Sequence, residues 1–421
     1  MAGRSPRDML GRQGLTPVAE ASSILMAKLA DFRPGSEITA LATCLDRVVA
    51  REITSLEDLP PWPRSTMDGY AVRAADTFGA SSSMPGYLDI KGEVLMGGMP
   101  QGTVDKGCCM KIPTGGLAPD GSDAVVMLEH TVAVDEKMIE VVKGVGSGQN
   151  LIARGEDVAR GQKIFDPGHR LRPQDLGLLA GLGIKELELF CPVRVGILST
   201  GDEIVPWHED PPAGKIRDIN SITLAALATR EHTVVKDYGI APDSFDGFLS
   251  VMEKATAEND VVLFSGGSSV GMRDLGERVI ETMGNPGILV HGVALKPGKP
   301  IIIGLHDKTV LFGLPGHPVS AMVCFELFVK QAIKKLSGLA VSGLPAPTVT
   351  ARLSRNINSA AGRLDLIRVR LKKLEGYIVA EPVLGKSGAM STLARADGFF
   401  FIEEPLQGLS QDDCVEVHLF K

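Results

Sequence analysis

The chain has 421 residues, 44% of them hydrophobic and 23% charged, with a formal net charge of −7. That much apolar material excludes a wholly disordered chain and fits about two to four domains. The negative balance argues against a broad nucleic-acid-binding surface, although a local basic patch could still hold a phosphate.

The N-terminal stretch from Met1 to Gly14 is polar and carries Arg4, Arg7 and Arg12, without the apolar segment of a secretion signal. Ala19 to Phe32 places Ile24, Leu25, Ala27, Leu29 and Phe32 at helical spacing, and Thr39 to Ala50 repeats the pattern. Pro60, Pro61 and Pro63 then exclude helix. From Gly86 to Val142, short apolar bursts between glycines read as a separate β-rich domain. Cys108 and Cys109 fall there on alternate faces of one strand. Leu176 to Gly183 reads as a short helix packing back on the first helices.

Beyond Pro192 strand and helix alternate. Strands are expected in VRVGILST, HTVVKDYGIA, DVVLFSGG and TVLFGLPG. Helices are expected over Ser221–Glu231 with Asn220 as cap, Asp243–Glu258, Leu275–Met283 and Val319–Leu336. This alternation predicts a doubly wound, parallel α/β domain with ligands at the carboxyl ends of its strands. After Ser337, five short strands predict a small C-terminal β-barrel or sandwich. The expected domains are 16–52 with 153–190, helical and discontinuous; 53–152, β-rich; 191–340, α/β; and 341–421, β.

The six cysteines form no CxxC pair and read as reduced thiols in a cytoplasmic protein. No uncharged apolar run approaches the ~18 residues of a membrane helix. The histidines show no metal-ligand spacing, and no P-loop is present.

Four loops collect the chemistry. Ser199-Thr200-Gly201-Asp202-Glu203 follows a buried strand and can offer backbone N–H groups to an anion, or simply start a helix. Gly214 to Asn220 supplies Lys215, Arg217 and Asp218 ahead of a helix, which suits phosphate or pterin recognition but also a solvated turn. Ser265-Gly266-Gly267-Ser268-Ser269 lets a ligand approach the backbone closely, with Asp274 at the next helix start. Lys296-Pro297-Gly298-Lys299-Pro300 and Leu314-Pro315-Gly316-His317-Pro318 combine two cations with stiffened turns.

Together these loops resemble the molybdopterin molybdenumtransferase family of the MoeA type, which is similar to the E domain of gephyrin. The same order is kept by Ser65 to Ala71 (STMDGYA), Pro113-Thr114-Gly115 and Gly155-Glu156-Asp157. The resemblance implies insertion of molybdate into adenylylated molybdopterin, with Mg2+-assisted hydrolysis of the AMP linkage. It also implies a homodimer whose cleft takes Asp68, Thr114 and Asp157 from one subunit. Glu203, Asp218, Asp243, Asp274, Lys296, Lys299, Pro315 and Pro318 would come from the other. Asp68, Glu203, Asp243 and Asp274 are the expected catalytic residues. Asp218, Asp243 and Asp274 suit Mg2+, and Lys296 and Lys299 suit oxyanion charge. Thr114, Asp157, Ser199, Thr200, Gly201, Asp218, Ser265, Gly266, Gly267, Lys296, Lys299, Pro315, Gly316 and Pro318 are expected to contact the pterin nucleotide. The implied partners are the adenylyltransferase and molybdoenzyme apoproteins, with neither nucleic acid nor membrane.

The chain departs from the family pattern at Ser268, where Val is usual, and at Met272, where an acid is usual. Leu275 replaces an aromatic residue, His317 replaces Asn, and Gly116 stands where Ala is usual. These changes leave open tungstate as the oxyanion, and a relative that binds or delivers the cofactor without hydrolysing it.

Overall fold

A computed structural model describes residues 14–266, 270–340 and 347–420, with side chains for all of these except 270–273. The expected α/β unit is built on a six-stranded sheet. Its strands lie in the order Val234–Ala241, Arg194–Thr200, Val261–Gly266, Thr309–Pro315, Ile302–His306 and Pro286–His291. The first four run parallel. The hairpin partner Ile302–His306 runs antiparallel to its neighbours on both sides. The sequence reading placed no strand between 284 and 308, because Gly284, Gly287, Gly292 and Gly298 break the apolar pattern there into short pieces.

The central strands are apolar on both faces because helices cover both. Val261 and Leu263 enter one hydrophobic cluster with Val195, Ile197 and Phe312. Val262 and Phe264 enter the other with Leu198, Leu311, Phe248 and Ile280. Leu275 belongs to this second cluster and is 8% exposed, so that departure from the family pattern is a packing residue. The strand order makes the gap between Arg194–Thr200 and Val261–Gly266 the topological switch point, where ligands of such sheets bind.

Two sequence expectations are corrected in the N-terminal part. Thr39–Ala50 is not helical: Ser36–Ala40 forms a strand paired antiparallel with Glu186–Phe190, followed by one short turn of 3-10 helix at Leu41–Thr43. The apolar spacing survives as burial of Cys44 and Val49 against Leu171, Leu179 and Leu189. The Pro173–Gly181 helix packs back on the second of the two expected helical segments, Leu179 lying with Cys44 and Val49, but the first helix has no part in that cluster. Val18–Lys28 buries Ala21 and Leu25 in the α/β core instead, beside Val290 and Leu336. Amphipathic spacing shows that a face is buried, not which domain covers it.

The β-rich domain holds a six-stranded sheet that includes Gly69–Val72 between Cys108–Ile112 and Ala124–Met127. A Cβ at Gly69 would sit 1.9 Å from the carbonyl oxygen of Val126, so this position admits only glycine. At the C-terminus the barrel reading holds. Leu364–Leu374, Tyr377–Pro382, Thr348–Leu353, Cys414–Leu419 and Gly398–Ile402 pair in a closed ring of five. Phe400, Val369, Ala380 and Val417 fill it. A short strand, Leu295–Lys296, leaves the α/β domain and pairs with Leu364 and Asp365 of the barrel, which brings the lysine loop to the junction.

Candidate functional site

A cavity of about 420 Å³ opens at the carboxyl ends of the three central strands, with Thr200, Gly266 and Pro315 on its wall. Lys296 and Lys299 enter from the lysine loop, Gly316 and His317 from the turn before the Pro318–Cys324 helix, and Arg363 and Ser387 from the barrel. Its only charged linings among the described residues are the three cations Lys296, Lys299 and Arg363. Phe248 and Phe264 form an apolar end. An apolar end combined with cations and hydroxyls in one cavity is suited to an anionic ligand with an apolar part.

Two glycines are required by this geometry. Gly201 has φ +140°, and a Cβ there would lie 2.7 Å from a carboxylate oxygen of Glu203. Gly298 has φ +130°, and its Cβ would meet Leu295 at 2.7 Å and the Cys324 sulfur at 2.9 Å. Both turns therefore keep the backbone close to neighbouring groups at the site.

Behind the cations lies Asp365, 1% exposed. Its carboxylate accepts from the Arg363 guanidinium at 2.8 and 3.4 Å, and the Lys296 ammonium lies 3.5 Å away. One buried acid thus holds two pocket cations contributed by different domains. Three charges on the wall less one behind it leave a net +2, which matches a tetrahedral dianion.

Two buried polar atoms lack partners among the described residues here: Thr200 Oγ1 at a strand end and Asn220 Oδ1 at a helix start. The Asn220 amide nitrogen donates to the Gly316 carbonyl at 3.0 Å, so this side chain ties the two loops while leaving its oxygen unused. Unsatisfied buried groups are costly and uncommon, so two of them at one site point to a ligand that completes them.

The remaining expected residues divide in two. Ser199 and Ser265 face each other across adjacent strands, fully buried, with hydroxyls 3.4 Å apart. Asp218, 5% exposed, accepts the Ser221 amide at 3.1 Å and so caps the Asn220–Arg230 helix. Asn220, the expected cap, is the first helical residue instead. Asp243 is held above the ordinary carboxylate value by partial burial, then by the negative charges of Asp202 and Glu203. Asp274 is exposed on the Val270–Met283 helix, and Pro318 is buried at the first turn of its own helix. Gly267 and Ser268 lie outside the described residues, as does the Met272 side chain.

Asp68, Thr114 and Asp157 are exposed on the N-terminal part of the chain, and none lines the cavity. Asp68 accepts the Thr114 amide at 2.7 Å, so these two act as one unit. Arg363, Ser387 and Ser320 were missed in the sequence. Arg363 stands in GRLD just ahead of a barrel strand, where a charged residue reads as ordinary strand-edge polarity.

Among the described residues, no three carboxylate, imidazole or thiolate groups come together closely enough to hold a metal by themselves. Among the expected metal ligands, Asp243 is the acid whose surroundings include the charges of two further carboxylates, Asp202 and Glu203.

Three family models cover most of the chain. Residues 16–183 match the MoeA N-terminal region (domain I and II), 196–335 a probable molybdopterin binding domain, and 350–420 the MoeA C-terminal region (domain IV). The chain is 33% identical to a molybdopterin molybdenumtransferase of Haemophilus influenzae, over 95% of this chain and 98% of that one. It is 31% identical to gephyrin of Dictyostelium discoideum, over 80% of this chain and 52% of that longer one. The crystal structure of a molybdopterin biosynthesis MoeA protein from Pyrococcus horikoshii superposes with a TM-score of 0.82 at 32% identity, over 97% of this chain and all of that one. With the family models, the relatives and the multidomain fold in agreement, the chain belongs to the molybdopterin molybdenumtransferase family of the MoeA type.

Proposed function

We propose that this protein acts in molybdenum cofactor biosynthesis, inserting molybdate into adenylylated molybdopterin as the AMP linkage is hydrolysed. The observation that carries the reading is the switch-point cavity: among the described residues it is lined by three cations and no carboxylate, with the partnerless Thr200 hydroxyl on its wall and Asn220 tied to its Gly316. Thr200, Gly266, Pro315 and Gly316 would receive the pterin nucleotide through backbone contacts and the unused oxygens of Thr200 and Asn220. Lys296, Lys299 and Arg363 would hold the oxyanion, with Asp365 setting the net charge.

Cleavage of the pyrophosphate breaks one P–O bond, adds a water oxygen to phosphorus and releases AMP. The chain's part is positioning and charge neutralisation. Asp243 is the proposed anchor of Mg2+, with Glu203 and Asp218 on other loops of the domain and Asp274 on the Val270–Met283 helix. The ion, when bound, would neutralise the phosphates. Glu203 and Asp274 are proposed to orient water.

The exposed Asp68–Thr114 pair and Asp157, lying away from this cavity, support a homodimer in which they complete the partner's cleft. The adenylyltransferase would supply the substrate and molybdoenzyme apoproteins would take the product, in the cytoplasm. No helix among the described residues is long and apolar enough to cross a membrane. The test is AMP release from adenylylated molybdopterin with molybdate and, separately, tungstate. Release with neither oxyanion rejects the reading.

A further inference from the structure

His317 follows Pro315-Gly316 and precedes Pro318, in extended conformation (φ −72°, ψ 122°) at the entrance to the Pro318–Cys324 helix. Its neighbour in that helix, Val319, donates its amide to the Ser387 carbonyl at 3.2 Å. The His317 ring itself reaches the same residue: Nδ1 lies 2.9 Å from Ser387 Oγ. Both His317 and Ser387 line the cavity. From the other side, Arg368, 8% exposed and without a carboxylate partner among the described residues, donates to the Gly385 carbonyl at 3.2 Å and to the Thr392 hydroxyl. The barrel segment 385–392 is therefore pinned between Arg368 of its own domain and His317 of the α/β domain.

The 2.9 Å contact can run in either direction, and the direction decides what Ser387 offers a ligand. When Nδ1 carries no proton, the Ser387 hydroxyl donates to it and shows only oxygen lone pairs to the cavity. A bound oxyanion would then be repelled. When Nδ1 carries a proton, it donates to Ser387 Oγ, and the hydroxyl hydrogen is free to point at the anion. We propose that His317 is a positioning residue that turns the Ser387 hydroxyl toward the bound oxyanion, and does so more fully when protonated. The inference rests on the oxyanion reading of the cavity.

The charged groups of this space are Lys296 and Lys299 on the lysine loop, Arg363 on the barrel and Asp365 behind Lys296 and Arg363, with Lys386 next to Ser387 in the chain. The Pro318–Cys324 helix contributes none. Lysine, arginine and aspartate side chains ordinarily keep one charge state around pH 6.5, where an imidazole ordinarily changes its own. None of them changes charge there, so a pH dependence in that window reports the histidine.

The test measures sulfate binding by calorimetry between pH 5.5 and 7.5, because sulfate stays a dianion throughout. Wild type should bind roughly three- to tenfold more tightly at the acid end, what one hydrogen bond contributes. His317→Asn should bind at the wild-type acid-end affinity at every pH, because an amide N–H can donate to Ser387 regardless of pH. Ser387→Ala should be weak and flat. A flat wild-type profile overturns the proposal. So does a slope that persists in Ser387→Ala, because His317 would then act on the anion directly. Absence of sulfate and molybdate binding in wild type at every pH overturns the oxyanion reading itself, and is distinguishable from both.

Discussion

Replacing Thr200 with Val should stabilise the ligand-free protein and weaken ligand binding. Thr200 is 2% exposed at the end of the Arg194–Thr200 strand, and its hydroxyl has no partner among the described residues. Burying an unsatisfied hydroxyl costs about 1–3 kcal/mol. Valine keeps the branched shape and the strand preference while removing that group. At the lower end of the range the gain is about 1 kcal/mol, or roughly 2–4 °C in the transition of a domain this size. The same hydroxyl is proposed to complete itself on the pterin nucleotide, so binding should fall roughly three- to tenfold, the net value of one hydrogen bond. Scanning calorimetry of the free protein and titration with adenylylated molybdopterin give the two numbers. Ser359, whose hydroxyl is also buried without a partner but which does not line the cavity, supplies the control. Ser359→Ala should raise the melting temperature and leave binding unchanged. A Thr200→Val protein that melts lower and binds normally would refute the link between the orphan hydroxyl and the ligand.

Asp274→Asn should keep the fold and lose most turnover, and wild-type AMP release would remove Asp274 from the proposed water- and metal-positioning groups. Mixing Asp68→Ala with Asp274→Asn subunits should restore part of the activity through one intact composite site; a verified mixed dimer without rescue would favour a site within one chain. Gly313→Ala should cost about 1–3 kcal/mol and narrow the apolar end of the cavity, because its Cβ would stand 2.6 Å from the Phe264 ring. An unchanged melting temperature there would show that the ring moves freely. Asp175 gives a pH prediction. Burial opposes its ionisation, but hydrogen bonds from Arg172 and His169 prevail and hold its carboxyl down to about 2, against 3.8 ordinarily. The ionised form is therefore favoured by folding, and its contribution is present above about pH 4 and lost as pH falls toward 2. The shift corresponds to about 2 kcal/mol. Asp175→Asn should flatten acid unfolding in that window, and an unchanged acid midpoint would count against it.

Much of this was legible in the residues. The strands of the sheet core were readable because a parallel strand covered on both faces is a short unbroken apolar run, as in Val261–Ser265. The barrel strands were readable as short apolar runs separated by polar and glycine turns. The hairpin at 286–306 was not, since glycines at its turns mask the pattern. Placement of the first helix in the α/β core was not readable either, because periodicity reports a face and not its partner. At the site, the lysine loop and the LPGHP turn were found by their position after strands. Arg363, Ser387 and Asp365 were not, because they arrive from a domain about 50 residues further along the chain or more, brought in by the pairing of Lys296 with Asp365.

The central claim is that the cation-lined cavity at the strand ends binds the oxyanion that enters the cofactor. The most direct measurement is AMP release from adenylylated molybdopterin by wild type and by Lys299→Ala, with increasing molybdate. The account expects molybdate-dependent release by wild type and a strongly raised molybdate requirement in Lys299→Ala, with the melting temperature unchanged. Equal molybdate dependence in the two proteins would place the oxyanion elsewhere and contradict it.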